Sequence, residues 1–262
     1  MTAVRRHPRR SRRPRHVRRH GVALILVLWL VVILGVVGAG VMRATREATQ
    51  LAANTRARVV ARYAAESGLE ATIARIDGAL RTLGDSAARR AFLNALEPGS
   101  RNADSMLVGD GRVVVAIVDA SARLDVNAAP AEKLARLFAW FTDPVRARAM
   151  ADAVRRRVEG EGRTSSPVGT LEALRELPGT DERVLQLAAP YLTVDGDGTV
   201  NRAAASDTVL RAAFGELREA PSRLVLVARG WMRGHPLTHE IQGVYAIASD
   251  RLVLVRWRER TL

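Results

Sequence analysis

Oxygen-bearing side chains alternate in one short segment of the chain. Asp195, Asp197, Thr199 and Asn201 stand at every second position of DGDGTVN, and such spacing is typical of calcium-binding loops. The segment differs from an EF-hand, because its glycines occupy positions two and four and Ser206 stands at position twelve. We therefore expect no metal site; Asp195 and Asp197 are weak candidates for calcium, and a tight turn is the alternative.

Covalent catalysis has little support in the sequence. The chain contains no Cys, which excludes a thiolate nucleophile, a disulfide and a cysteine-ligated zinc site. No Ser-His-Asp arrangement, phosphate-binding loop or paired-carboxylate cleft is recognisable in the 262 residues. We therefore expect a protein that is not an enzyme and that owes its stability to packing or to ions bound through oxygen.

One peptide bond, between Gly21 and Val22, separates two segments of opposite character. The twenty residues before Gly21 contain nine Arg and no acidic residue. Val22–Val41 contain no charge, amide or hydroxyl group, and a helix of about 20 such residues covers a hydrocarbon core of ~30 Å. Because Arg-rich flanks stay in the cytoplasm, we expect a single-pass protein with a cytoplasmic N-terminus and a translocated body from Arg43 onward.

The apolar segment has three interpretations. A cleaved secretory signal has an apolar region of roughly 7–15 residues, which is shorter than this one. A plain anchor, never cleaved and carrying a scaffold protein, needs only the segment itself. A prepilin-like signal is cut before the apolar run, here between Gly21 and Val22, so that the run becomes the N-terminal helix of the mature protein. A helical pattern that continues beyond the apolar run favours this third interpretation.

That continuation is long and amphipathic. No Pro occurs between Pro14 and Pro98, and apolar residues recur three or four positions apart, the period of a helix with one buried face. The recurring residues are Leu51, Thr55, Val59, Tyr63, Leu69, Ile73, Ile76, Leu80 and Leu83. We predict one helix from Val22 to about Leu83. Its first half is apolar on all sides, and its second half packs on a domain.

The rest of the chain alternates between strand and helix patterns. Met106–Val108 and Arg112–Asp119 flank a Gly-Asp-Gly turn, and both faces of the second segment are apolar, as in a central strand. Further strands are predicted at Arg123–Val126, Arg223–Trp231, Leu237–Ala248 and Arg251–Trp257. Pro98–Ser100 is predicted as a loop.

Helical patterns fill the interval from Asn127 to Gly215. Predicted helices begin near Pro130, at Pro144, after a cap at Ser165, Ser166 or Thr170, after Gly179, and at Asn201. The last of these is predicted to reach Phe214, and residues 160–167 are predicted as a loop. Phe138, Trp140 and Phe141 have helical spacing and are predicted core residues.

Positive charge is concentrated before the apolar segment. The formal net charge is +14, but from Val22 onward 32 basic residues stand against 27 acidic ones. Because the body is only mildly basic, extensive nucleic-acid contact is not expected. Pro178-Gly179 between two helical stretches nevertheless resembles the turn of a helix-hairpin-helix module, so a DNA-handling, pilus-like membrane protein remains an alternative.

These patterns together resemble a known family. Residues 20–71 are similar to the N-terminus of the type II secretion minor pseudopilin K, or general secretion pathway protein K, including the AAESG stretch at 64–68. The segments LDVNAAPAEKLARL, TLEALRELPGTDERVLQLAAPYLTV and VNRAAASDTVLRAAF also resemble stretches of that family. The chain departs from the family pattern at Asp125 and at Arg202-Ala203, and Val22 stands where Phe or Met is more usual in pilins.

The resemblance implies an α+β, type IV pilin-like fold with a long N-terminal transmembrane helix, an antiparallel sheet and a large inserted α-helical domain. It divides the chain into a basic leader (1–21), the transmembrane half of the helix (22–42), the pilin-like helix and first strands (43–126), the inserted helical domain (127–215) and the strands that complete the sheet (216–262). It also implies cleavage by a prepilin peptidase, anchorage in a bacterial inner membrane with a periplasmic C-terminal domain, and assembly with I-type and J-type minor pseudopilins rather than with nucleic acid.

Leu26 is the fifth residue after the predicted cleavage site, where most pilins and pseudopilins carry Glu. The K pseudopilins resemble this chain in lacking that Glu. In filaments the Glu of an incoming subunit pairs with the N-terminal amine of the subunit above, and an unpaired intramembrane charge costs about 2.5–3.5 kcal/mol. A subunit with Leu at this position therefore fits the tip of a pseudopilus, where it would initiate or cap assembly for protein export.

The resemblance also implies calcium in the inserted domain. The acidic segment that would bind the ion falls near Arg156–Glu159, where this chain has Arg-Arg-Val-Glu. Because Arg156 stands in place of the first expected carboxylate and Glu159 alone keeps one, we expect no cofactor.

Overall fold

The structure is a computed structural model that describes residues 20–101, 103–160, 166–215 and 217–262, with side chains from Ala23 onward. Residues 1–19 of the predicted leader lie outside the described residues. So do residues 161–165 of the predicted loop 160–167, and with them the candidate cap Ser165. The chain divides into two compact units, of which one ends at Asn54 and the other comprises Thr55–Leu262.

The described part of the first unit is helical and exposed. Helix α1, His20–Thr82, begins there, and every described side chain between residues 23 and 54 is exposed. The hydroxyl groups of Thr45 and Thr49 donate to the carbonyls of Val41 and Thr45, at 2.9 and 2.8 Å, so these polar groups are satisfied inside the helix. Among the described residues, α1 is the one helix long and apolar enough to cross a membrane.

The second unit is built on a five-stranded antiparallel sheet. The strands are β1 (Met106–Val108), β2 (Gly111–Asp119), β7 (Arg223–Met232), β8 (Thr238–Ile247) and β9 (Leu252–Thr261), in the order β1-β2-β7-β8-β9. β2 has a strand on each side, which confirms the prediction of a central strand from its two apolar faces. β1 and β9 form the two edges.

One face of this sheet is covered by helices. The residues of α1 from Thr55 onward and helix α2 (Ser86–Ser100) pack there. The shared core consists of Ala64, Ala65, Leu69, Ile76, Leu80, Leu93 and Leu96 from the helices and Val113, Val115, Ile117, Leu224, Leu226, Ala228, Ile241, Tyr245 and Leu252 from the strands. Because side chains alternate along a strand, the intervening residues Val118, Val225, Val227 and Val244 face the opposite side and form a second, smaller cluster with Ala120.

Helices also fill the interval between β2 and β7. They are α3 (Ala131–Phe138), α4 (Pro144–Glu159), α5 (Glu182–Ala188) and α6 (Asp207–Ala213), with a 3₁₀ helix at Leu171–Glu176 and another at Ala189–Tyr191. They surround a core of their own, whose largest fully buried members include Phe138, Leu134, Leu137, Met150 and Leu174. The observed architecture therefore confirms the predicted long apolar helix, antiparallel sheet and helical insertion.

Two short parallel bridges lie at the margins of this insertion. β3 (Leu124–Asp125) pairs with β4 (Leu192–Thr193), and β5 (Val200–Asn201) pairs with β6 (Leu217–Arg218). The strand predicted at Arg123–Val126 is therefore shorter than expected and does not join the main sheet.

Three helix boundaries differ from the predictions. The loop predicted at Pro98–Ser100 is wrong, because α2 continues to Ser100. The helix predicted to begin at Asn201 begins at Asp207, since Asn201 belongs to β5. The segment after Thr170 is a 3₁₀ helix, and the Thr170 side chain makes no capping hydrogen bond.

Candidate functional site

The predicted cleavage junction lies in the first turn of α1. Gly21 and Val22 have helical backbone, and the Leu26 side chain is 66% exposed. From Val22 to Val41 the sequence contains no carboxylate, so this segment supplies no partner of its own for an amine. Gly21 and Val22 as the processing site, and Leu26 as the position that lacks Glu, remain predictions about processing and assembly.

Small residues let α1 approach the sheet closely. Ala61, Ala64 and Ala65 are fully or almost fully buried, and Gly68 follows on the same face. A Cβ added at Gly68 would lie 2.6 Å from the Val113 side chain. A Cβ added at Gly230 of β7 would overlap the Ala61 carbonyl and would lie 2.5 Å from the Ala65 nitrogen. The AAESG stretch is therefore the contact between helix and sheet.

This contact corrects the predicted buried face in its N-terminal part. Val59 and Tyr63 were predicted to pack on the domain, but both are exposed, Tyr63 by 63%. Alanines are buried instead, because only small side chains fit where the helix backbone touches β7. From Leu69 to Leu80 the prediction is confirmed: Leu69, Ile76 and Leu80 are buried.

The acidic loop predicted as a weak calcium site lies against the sheet face opposite α1. Asp195 Oδ1 lies 3.2 Å from Nη1 of Arg256 and 3.4 Å from Nη2 of Arg258, and its Oδ2 accepts a hydrogen bond from Gln242 at 3.3 Å. Arg256 and Arg258 extend from the edge strand β9, two residues apart and hence on the same face. The carboxylate of Asp195 is therefore bound by side chains of the sheet.

The second aspartate of the loop is bound differently. Asp197 Oδ1 accepts hydrogen bonds from the Thr199 hydroxyl at 2.7 Å, the Thr199 N–H at 3.1 Å and the Ser222 hydroxyl at 2.9 Å. Burial alone would raise the pKa of Asp197, but these hydrogen bonds outweigh it and hold the pKa below its usual value. The loop thus keeps Asp197 in its ionised form.

A third carboxylate, Asp125, lies beside this loop. Its Cβ would be 2.9 Å from a Cβ added at Gly196, and its Oδ1 accepts a hydrogen bond from the Asn127 N–H at 2.9 Å. Burial raises the pKa of Asp125, and the negative charges of Asp195 and Asp197 act in the same direction.

These residues do not fit a calcium ion. A calcium site presents six to eight oxygen ligands to one cation, whereas both carboxylate oxygens of Asp195 and Oδ1 of Asp197 already accept hydrogen bonds or ion pairs from protein groups. Near the other implied position, Glu159 pairs with Arg155 at 2.7 Å. Across residues 20–101, 103–160, 166–215 and 217–262, no group of three or more His, Asp or Glu is arranged to hold a metal.

Asn201 is a structural residue that the sequence patterns did not reveal. It is fully buried, and its Nδ2 donates to Asp119 Oδ2 at 2.7 Å and to Asn94 Oδ1 at 2.9 Å. These partners lie 82 and 107 residues away in the chain, so no local pattern could have indicated the contact. The clue in the sequence was the resemblance of VNRAAASDTVLRAAF to a family stretch that retains Asn at this position.

Several backbone N–H groups that follow the Pro178-Gly179 turn have internal acceptors. The Thr180 N–H donates to the Leu177 carbonyl, and the N–H groups of Arg183 and Val184 donate to Asp181 Oδ1. A helix-hairpin-helix module binds DNA through such amides. Here three of them have internal acceptors, and two of the three donate to the Asp181 carboxylate, which caps the N-terminus of α5.

The predicted aromatic core is correct in part. Phe138 is fully buried, and Phe141 stacks on Tyr191 with ring centroids 5.8 Å apart. Trp140 was predicted as a core residue, but it is 52% exposed with the Arg211 guanidinium 5.7 Å from its ring. The helix α3 ends at Phe138, so Trp140 leaves the helical face that its spacing suggested.

Comparisons with a family model and with solved structures each found a similarity. Residues 20–70 match the family model PilX N-terminal. The structure is similar to a chain of the crystal structure of the GspK-GspI-GspJ complex from the enterotoxigenic Escherichia coli type 2 secretion system, with a TM-score of 0.48 and 10% identity over 67% of this chain and 94% of that chain. No curated protein matches the sequence. The matched segment 20–70 contains both the apolar run and the small-residue contact, and in that segment this chain is similar to the N-terminus of PilX-type proteins.

Proposed function

We propose that this chain is a K-type minor pseudopilin of a bacterial type II secretion system. It occupies the tip of the pseudopilus, where it initiates or caps assembly for the export of proteins across the outer membrane. Its work is assembly and not catalysis, since the sequence offers no catalytic arrangement and the acidic loop is committed to internal contacts.

The observation that carries the proposal is the composition of helix α1. Its first part is apolar on every side and unburied, whereas its residues after Thr55 pack on an antiparallel sheet through Ala61, Ala65 and Gly68. A plain anchor needs only the first part. The PilX N-terminal match begins at His20, two residues before Val22, and therefore includes the predicted junction.

The proposed partners follow from the chemistry of the mature N-terminus. Cleavage after Gly21 by a prepilin peptidase would leave an amine at Val22, beside a segment without any carboxylate. I-type and J-type minor pseudopilins are the proposed neighbours in the inner membrane, with the N-terminus cytoplasmic and the folded domain periplasmic. The helices of residues 127–215 enlarge this subunit beyond what the sheet and α1 require, and such bulk is unfavourable for stacking another subunit above it.

The mature N-terminus tests the proposal. The full chain is produced in cells with and without a prepilin peptidase, and its mass is measured after purification from membranes. We expect a mature protein that begins at Val22 only when the peptidase is present, and no cleavage in a Gly21→Leu variant. An intact leader in the presence of an active peptidase would exclude the proposal and favour the uncleaved scaffold.

A further inference from the structure

Three carboxylates and three guanidinium groups meet where the loop 194–198 lies on the sheet. The carboxylates come from β3 and the loop, and the guanidinium groups come from the first residue of β7 and from β9. They belong to Asp125, Asp195, Asp197, Arg223, Arg256 and Arg258, which are called the carboxylate–guanidinium cluster below.

The arginines of the cluster bind more than carboxylates. Arg256 Nη2 donates to the Val194 carbonyl at 3.1 Å, Arg258 Nη2 donates to the Gly169 carbonyl at 2.6 Å, and Arg223 Nη1 donates to the Gly196 carbonyl. Backbone carbonyls and carboxylates are the ligand types that a calcium loop directs at its ion. Here guanidinium N–H groups take up these oxygens.

Burial increases the contribution of these ion pairs to the stability of the fold. Asp195 is buried, and the side chains of Arg256 and Arg258 are about two-thirds covered. Breaking a buried charge pair by removing one partner is strongly destabilising, because the remaining charge stays buried without compensation. The cluster differs in this respect from the exposed pairs of the molecule, such as Arg43 with Glu47.

We propose that the carboxylate–guanidinium cluster fastens the loop 194–198 to the sheet in place of a divalent cation, so that the fold of this unit does not depend on calcium. The inference does not rest on the proposed function. The oxygen-rich DGDGTVN segment then forms an internal contact of fixed geometry, and Arg223, Arg256 and Arg258 supply its positive charge.

The cluster also predicts how a calcium response could be created. If Arg256 and Arg258 are replaced by Gln, the carboxylate of Asp195 and the carbonyls of Val194 and Gly169 lose their cationic partners. The remaining oxygens then carry an excess of negative charge, which Ca²⁺ can neutralise.

The test is thermal unfolding of the full chain in detergent, followed by the intrinsic fluorescence of its four Trp residues, of which Trp257 stands between the two arginines in β9. We expect the unfolding temperature of the unmodified chain to change by less than about 1 °C between 1 mM CaCl₂ and 1 mM EDTA. The Arg256→Gln/Arg258→Gln variant should unfold about 5–10 °C lower in EDTA and should regain part of this loss in CaCl₂. Arg251→Gln, at an exposed position beside β9, is the matched control and should match the unmodified chain.

Two results would overturn the inference. One is a rise of several degrees for the unmodified chain in CaCl₂ that EDTA reverses. The other is an Arg256→Gln/Arg258→Gln variant that unfolds at the same temperature as the Arg251→Gln control. If the double variant does not fold, Arg258→Lys, which keeps the charge and loses the forked geometry, should show a smaller loss of the same kind.

Discussion

The amide nitrogen of Asn201 lies 2.7 Å from Oδ2 of Asp119, and both side chains are buried. The same nitrogen donates to Asn94 Oδ1 at 2.9 Å, and Oδ1 of Asn201 accepts a hydrogen bond from the Ala203 N–H at 3.1 Å. One amide thus joins β5 to the end of β2 and to α2. Because both of its ends are engaged, its orientation is fixed.

Removal of this amide should weaken the whole second unit. Asn201→Ala leaves a buried Asp119 carboxylate without one of its donors, and an unsatisfied buried polar group costs about 1–3 kcal/mol. The measurement is the free energy of unfolding in urea for the full chain in detergent. Arg202→Ala, at the exposed neighbouring position, should stay within about 0.5 kcal/mol of the unmodified chain. Equal losses for the two variants would contradict the assigned role of Asn201.

The helix–sheet contact predicts that replacing two glycines of α1 by Ala changes the free energy of unfolding in opposite directions. Gly68→Ala places a methyl group 2.6 Å from the Val113 side chain, so we expect a loss of about 1–3 kcal/mol from overpacking. Gly78→Ala meets no heavy atom within 4 Å and should instead stabilise the helix by up to about 1 kcal/mol. Urea unfolding of both variants checks the pair. Stabilisation by Gly68→Ala would show that α1 does not lie as close to β2 as described.

Glu240 should make the stability depend on pH at the acid end. Burial works to raise the pKa of Glu240, but hydrogen bonds from Arg229 at 2.5 Å and from Arg260 at 2.8 Å outweigh it and lower the pKa. A carboxyl group whose folded-state pKa is lowered contributes stability above its unfolded pKa of about 4.3, and this contribution is lost as the pH falls through the folded-state value.

The matching experiment compares Glu240→Gln with the unmodified chain across pH. At pH 7 the variant should be less stable by about 2 kcal/mol, the range for hydrogen bonds to a charged group. The difference should shrink below pH 4, where the protonated carboxyl group and the amide are alike in charge. Glu70→Gln, on the exposed side of α1, should show no such trend. A difference that is the same at pH 7 and pH 3 would refute the account of Glu240.

Local patterns predicted those elements whose signals are contained in a few neighbouring residues. β2 was recognisable because both of its faces are apolar, and α4 because Asp143 and Pro144 stand at its start, where Asp143 accepts the Arg146 N–H at 2.9 Å. The continuation of α1 past the apolar run was recognisable from spacing alone.

The errors arose where distant residues decide the local structure. α2 continues through Pro98 because Ser100 exchanges hydrogen bonds with the backbone of Ile117 and because Glu97 accepts the Asp119 N–H at 2.9 Å. A local pattern around Pro98 contains none of these partners. Likewise the buried face of α1 was misplaced at Val59 and Tyr63, since hydrophobic periodicity favours large residues and Gly230, which requires small ones, lies far along the chain.

At the candidate site, too, the local sequence pattern was predictable and the contacts with distant residues were not. The oxygen spacing of Asp195 and Asp197 was visible in the sequence, but the arginines that bind this loop come from distant strands: Arg223 from β7, and Arg256 and Arg258 from β9, about 60 residues later. Spacing alone predicts what a segment could bind, and tertiary contacts determine whether its oxygens are free.

Leu26 should decide where the subunit lies in the filament, if the proposed function holds. Leu26→Glu would supply the carboxylate that an incoming filament subunit uses to pair with the N-terminal amine above it, which offsets a cost of about 2.5–3.5 kcal/mol for an unpaired charge in the membrane. The variant should therefore enter the shaft, whereas the unmodified chain should stay at the tip.

Because the chain has no Cys, a single introduced Cys on an exposed position of α1 reports its neighbours by cross-linking to I-type, J-type and major pseudopilins. We expect new cross-links to subunits above it for Leu26→Glu and none for the uncharged Leu26→Gln control; the same cross-links in the unmodified chain and in both variants would remove Leu26 as a determinant of tip placement.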